Sequence, residues 1–157
     1  RVRVQVWLDD GEPAADAAPA LARIRAACRS LLGALARPAE PCVLAGDFNV
    51  IPTEQDVYKP EHWAKDALFS PEAKAKFAEL VGQGWTDAIR ALHPDERIYS
   101  FWHYWRQSFE RNSGIRIDHA LLSPSLAPKL KAAGVDRTPR GWEKTSDHAP
   151  MWVELEV

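Results

Sequence analysis

Apolar and polar positions alternate from the first residue: Val2, Val4, Val6 and Leu8 against Arg1, Arg3, Gln5 and Trp7. A period of two predicts a half-buried strand. Asp9 to Ala18, with Gly11 and Pro13, interrupts it as a loop. Leu21, Ile24, Cys28, Leu31, Leu32 and Leu35 then recur at helical spacing in an Ala/Leu/Arg-rich stretch that Pro38 stops. Cys42 to Ala45 is a short apolar run, read as a buried strand. Ser70-Pro71-Glu72 is a helix start, with Ser70 as cap and Pro71 in the first turn. Phe77, Leu80 and Val81 give that helix its apolar face, and Gly82 and Gly84 end it. Thr86 or Asp87 caps a short helix carrying Ile89 and Leu92. Tyr99 to Tyr104, Ile115 to Leu122, Gly134 to Thr138 and Pro150 to Val157 read as strands, while Ala127 to Ala133 is too short to assign. This order predicts a mixed α/β layout without regular βαβ alternation.

The length of 157 residues fits one domain, residues 1–157. A chain of that size buries roughly 70% of its unfolded surface. A net charge of −2 gives no global basic field to attract nucleic acid, though a local patch is compatible with it. Two cysteines, Cys28 and Cys42, make no disulfide framework and suggest a reducing, cytoplasmic compartment. No apolar run approaches the ~20 residues of a membrane span, and no signal peptide is visible, so no membrane partner is expected. The chain starts at Arg1 and its single Met is Met151, so it is expected to be processed or part of something longer.

Chemistry enters at "LAGDFNVIPTEQDVY", residues 44–58. An apolar run stops at a glycine and presents Asp47 and Asn49 on one side of extended chain. The bland alternative is a polar turn, since Asp, Asn and Pro are ordinary turn residues. "GIRIDHALLS" sets Arg116 and Asp118 on one strand face, and a mid-strand acid is costly if buried without a partner. "KTSDHAPMWVEL" supplies Asp147 and His148, and His148 would satisfy Asp118 if the two met in space. The competing reading pairs Arg116 with Asp118 as a strand salt bridge and leaves Asp147 and His148 as loop polars. Taken together, acid, amide, acid and acid-His are the parts of metal-assisted phosphodiester hydrolysis. An acid activates water, a carboxylate-bound metal neutralises phosphate charge, and a protonated His, oriented by a second acid, donates to the developing oxyanion.

The segment from about Cys42 to Val157 resembles the exodeoxyribonuclease III family of apurinic/apyrimidinic endonucleases, within the wider endonuclease/exonuclease/phosphatase fold. The resemblance lies in "GDFNV", "GWTDAIR", "YSFWHYW", "NSGIRIDHALLS" and "SDHAPMWVEL", in that order. GDFN and SDHAP are shared with phosphatases and sphingomyelinases of the superfamily; YSFWHYW followed by N-x-G-x-R-I-D is narrower and points to DNA repair. The resemblance implies a partial four-layer α/β/β/α sandwich with mixed sheets. It implies catalytic roles for Asp47, Asn49, Asp118 and His148, and a magnesium or manganese ion on Asp47, Asn49, Asp147 and His148. It places Asn112 and Arg116 toward DNA, with Phe101, Trp102 and Tyr104 walling a pocket for a flipped abasic sugar. The partner implied is double-stranded DNA with abasic sites or 3′ ends. Strand-core packing is the alternative for these aromatics.

Departures from the family pattern bear on substrate contacts. His103 stands where an Asp is usual, Trp105 where a polar or basic residue is usual, and Thr145 where a Pro precedes Ser-Asp-His. At the front, Trp7 falls where the family has a catalytic Tyr, and Asp9, Asp10 and Glu12 give no counterpart of its metal-binding Glu. The chain therefore reads as the C-terminal portion of such a domain, expected to turn over slowly by itself. Two further readings stay open: a non-catalytic remnant, and a superfamily phosphodiesterase or phosphatase with a non-DNA substrate.

Overall fold

The computed structural model describes residues 2–5 and 40–156 of the chain. Among the described residues, six strands and two α-helices follow in order: β1 (Val2–Gln5), β2 (Val43–Asp47), α1 (Pro71–Gly82), β3 (Thr86–Asp87), α2 (Ala88–Leu92), β4 (Asp118–Leu122), β5 (Leu130–Val135) and β6 (Met151–Leu155). They form two three-stranded sheets, ordered β1-β6-β5 and β2-β4-β3. Where mixed sheets are expected, every pairing among these strands is antiparallel. The predicted helix over residues 21–35, Cys28 and the acids and tryptophan of residues 7–12 lie outside the described residues.

Alternation along β4 builds the layers. Ala120 and Leu122 pack with Met151, Val153 and Leu155 of β6 and with Ile89 of α2, filling the space between the sheets. Leu121 points the other way, into a cluster with Leu44, Phe77 and Trp85 beneath α1. Helix, sheet and sheet are thus three of the four expected layers, as apolar faces on both sides of a central sheet require.

Local chemistry sets the helix ends. Ser70 Oγ accepts from Ala73 N at 3.2 Å, with Pro71 in the first turn. Asp87 rather than Thr86 caps α2, accepting from Ile89 N at 3.1 Å and Arg90 N at 3.3 Å. The strand predicted over residues 99–104 is reduced to bridges at Phe101, which pairs with both Ile115 and His148. The strand predicted from Ile115 begins only at Asp118, and that from Gly134 begins earlier, at Leu130. No helix among the described residues is long and apolar enough to cross a membrane.

Candidate active site

The register of β2 on β4 sets Asp47 directly opposite Asp118. Side chains of directly opposed residues share a sheet face, with Cβ atoms ~5 Å apart. The two acids therefore crowd one end of the intersheet space, beyond Ala120 and Leu122. β4 is held there by Ser100, whose Oγ accepts from Ile117 N at 3.3 Å and Asp118 N at 3.2 Å.

The strand-to-turn geometry after Asp47 is built by Asn49. Its backbone lies in the left-handed region at φ 50°, its N–H donates to Asp47 Oδ1 at 2.8 Å, and its side-chain amide donates to Oδ2 at 3.2 Å. The turn reading and the site reading therefore describe the same atoms. Asp47 is the acceptor that shapes the turn, and Asn49 is exposed beside it. Burial raises the Asp47 pKa above its ordinary 3.8, and the charge of Asp118 adds to this; the Asn49 N–H and the nearby His148 pull the other way without cancelling it.

His148 precedes β6 and turns its ring to Asp118: Nδ1–H donates to Asp118 Oδ2 at 2.9 Å. Phe101 packs edge-on against the ring, 5.1 Å between centroids. Burial disfavours the imidazolium, but the Asp118 hydrogen bond and the charges of Asp118, Asp47 and Asp147 outweigh it, so the pKa rises above 6.5. The Arg116–Asp118 salt-bridge alternative does not form.

Arg116 is instead fully buried. Its Nε donates to Asp56 Oδ1 at 2.6 Å and its Nη1 to Asp87 Oδ1 at 3.0 Å, with Arg90 sharing Asp56 at 2.6 Å. His119 Nδ1 lies 3.8 Å from Asp87 Oδ2 while its Nε2–H donates to Val50 O at 3.0 Å. The placement of Arg116 toward DNA is corrected: a guanidinium sealed between two carboxylates has no surface to offer a phosphate. Trp102 is corrected likewise. It is 1% exposed, packed with Tyr99 and Ala149, and its indole N–H donates to Asn112 Oδ1 at 3.3 Å. Gly114 is required beside it, since a Cβ there would meet Trp102 Nε1 at 2.5 Å. Asn112 is thereby turned to the indole. Phe101 and Tyr104 do reach the site's rim, Tyr104 being 60% exposed.

Sequence reasoning missed Asp56 and Asp87 as the partners of Arg116. Their signals were local: Asp56 follows Thr53 at capping-box spacing and accepts from Thr53 N at 3.1 Å and Thr53 Oγ1 at 2.7 Å. Trp105 also went unassigned. It is 60% exposed and stacked on His103 at 4.3 Å, and His103 in turn meets Phe101 at 4.9 Å. A cavity of about 190 Å³ opens beside Asp118 and His148, walled by Gly46, Trp142, Thr145 and Met151.

The expected metal set does not assemble as a cage. Among the described residues no three His, Cys, Asp or Glu groups converge to hold a metal ion. His148 Nδ1 is engaged with Asp118 Oδ2 at 2.9 Å, which leaves its Nε2 as the ring nitrogen able to face a metal ion or a phosphate. Magnesium is usually held by one or two carboxylates plus phosphate and water. Asp47 and Asp147, whose charges both act on His148, are of the donor type that such a sparser arrangement uses.

Comparison with known proteins agrees with this geometry. The endonuclease/exonuclease/phosphatase family matches residues 2–148. Exodeoxyribonuclease III of Haemophilus influenzae is 34% identical over 122 residues, covering 73% of this chain and 46% of that protein. A Neisseria 3′ phosphatase bound to a product DNA hairpin superposes with a TM-score of 0.73 at 38% identity, over 74% of this chain and 46% of that one. An AP endonuclease from Archaeoglobus fulgidus gives a TM-score of 0.77 at 30% identity, over 87% of this chain and 55% of that one. The chain spans less than half the length of the curated relatives it matches.

Proposed function

The chain belongs to the endonuclease/exonuclease/phosphatase family, and from that premise we propose that it carries the hydrolytic site of an exodeoxyribonuclease III-like DNA repair nuclease acting at abasic sites and 3′ ends. The observation that carries the reading is the cross-strand pair Asp47–Asp118 with His148 bonded to Asp118. In the proposed reaction Asp47 takes a proton from the attacking water, held in place with help from Asn49. Water oxygen bonds to phosphorus as the P–O bond to the leaving strand breaks. His148, held as imidazolium by Asp118, donates to the phosphoryl oxygen on which charge accumulates. A magnesium or manganese ion on Asp47 and Asp147, when bound, would neutralise phosphate charge. The names of the relatives span exodeoxyribonuclease, 3′ phosphatase and AP endonuclease, which share a DNA phosphoester as the bond acted on.

DNA as substrate is supported by exposed aromatics around the site. Trp105 and Trp142 are each at least 60% exposed, and aromatic faces of this kind hold unstacked bases. The test is hydrolysis of an abasic duplex, a 3′-phosphate duplex and a small phosphodiester in magnesium or manganese, beside Asp47→Asn. Cleavage of either duplex, lost in the variant, supports the proposal. Hydrolysis of the small diester alone would favour the non-DNA reading. No hydrolysis of any of the three would favour the remnant.

A further inference from the structure

The loop that delivers His148 is exposed from Gly141 to Lys144, and Lys144 sits in the left-handed region at φ 54°. A non-glycine residue persists there where neighbouring contacts over-determine it. Those contacts come from the segment carrying the aromatic run. Tyr104 Oη donates to Thr145 O at 2.9 Å. Arg140 Nη2 donates back to Trp102 O at 3.1 Å, and its guanidinium lies over the Tyr104 ring at 5.1 Å and the Phe109 ring at 5.3 Å. Trp102 N also donates to Asp147 O at 2.9 Å. Tyr104 and Arg140 thus interlock: each reaches across to the other's segment, and one stacks on the other.

Resting on the nuclease reading above, we propose that Tyr104 and Arg140 form a clasp that positions His148, rather than a surface that touches DNA. The hydroxyl of Tyr104 is spent on the Thr145 carbonyl, three residues before His148, and Arg140 is spent on the Trp102 carbonyl, one residue after Phe101. Phe101 is the ring against which His148 packs. The clasp therefore fixes both the imidazole and its support. It also supplies by side chains the stiffness that a proline at Thr145 would lend to the backbone.

Tyr104→Phe removes one oxygen and keeps the ring on which Arg140 stacks, so it tests the clasp without removing apolar surface. Three quantities are measured in Tyr104→Phe and Arg140→Met: amide exchange over residues 141–148, kcat and KM on the DNA duplex the protein cleaves, and the melting temperature. The expected result is exchange faster by about fivefold, the loss of roughly one hydrogen bond. It is joined by a comparable fall in kcat, a KM within about twofold of the parent, and a melting temperature lowered by only about 2–4 °C for Tyr104→Phe. Unchanged exchange in both variants overturns the clasp whether or not the protein cleaves DNA. A raised KM with kcat intact also overturns it, making Tyr104 a DNA contact. Faster exchange in a protein that cleaves no DNA supports the clasp and defeats the nuclease reading instead.

Discussion

Asp47 stands directly across from Asp118 in the antiparallel ladder of β2 and β4. Like charges in that arrangement repel, and a fold selected for stability alone has no use for them. Here each acid is answered. Asn49 donates twice to Asp47, and His148 donates to Asp118. Burial, with the repulsion adding to it, leaves the Asp47 pKa raised, and the Asp118 hydrogen bond and nearby acids raise that of His148 against its burial. Two groups perturbed in this way at one sheet end are what acid–base chemistry requires.

Asp118 and His148 should behave as a unit. Asp118→Asn and His148→Ala are each expected to lower kcat by ~10²–10⁴, with the double variant scarcely worse than the worse single one. A double-mutant cycle on kcat checks this; losses that multiply would mean the two groups act independently.

The pH dependence follows from the two shifts. Asp47 acts as base only when ionised, so the acid limb of kcat/KM lies above pH 3.8; His148 acts as donor only when protonated, so the alkaline limb lies above 6.5. The same His148 shift adds stability that is complete below pH 6.5 and is lost as pH rises through its raised value. Rate and denaturant profiles in Asp118→Asn should both show the alkaline transition moved to lower pH. A transition left in place would assign it to another group.

Asp47→Asn is expected to reduce turnover by ~10²–10⁴ while DNA affinity changes little, because a base acts mainly in the transition state. Single-turnover rates beside equilibrium binding separate the two. Turnover within a few-fold of the parent would remove Asp47 from the role of base.

Arg116→Met should be a folding defect. It removes the guanidinium shared by two buried acids, leaving Asp56 with Arg90 and Thr53 and Asp87 with the α2 cap and His119. Breaking such a pair typically costs about 3–5 kcal/mol. Both carboxyl pKa values are lowered: burial opposes this, but Arg116 and Arg90 outweigh it at Asp56, and His119 and then Arg116 outweigh it at Asp87. Their contribution to stability is present above pH 3.8 and lost as pH falls through the lowered values, so the variant's loss of stability should be largest above pH 3.8 and shrink as pH falls. Urea melts across pH measure this. A stable variant with a reduced salt dependence of DNA binding would return Arg116 to the DNA side.

Trp105→Ala is expected to weaken single-stranded or abasic DNA binding by ~1–3 kcal/mol, the usual worth of one stacked base, with the melting temperature unchanged. The exposed ring on His103 motivates it. Fluorescence titration with DNA decides, and an unaltered affinity would leave Trp105 without a stacking role.

The chain alone carries the helix starts and the chemical inventory, but not every strand boundary. Ser70-Pro71 starts a helix because a side-chain oxygen and a missing N–H suit its first turn, wherever that helix packs. Asp47, Asn49, Asp118 and His148 stand out in the chain because a strand ending in acid and amide, and an acid within an apolar strand, both demand partners, whereas Asp147 stands out only through the family resemblance. Which partners they find was decided by tertiary structure. The β2–β4 register faces Asp47 with Asp118, and a slip of one residue would turn one of them to the other side of the sheet. Period two placed Arg116 on the Asp118 face, yet regular pairing of that strand begins only at Asp118. Arg116 is thereby free to turn inward to Asp56 and Asp87, sixty and twenty-nine residues away in sequence. Trp102 and Trp105, three positions apart in one aromatic run, end as core and surface. Composition cannot separate them, because burial depends on which side chains arrive from Tyr99, Phe109 and Ala149 to close over the ring.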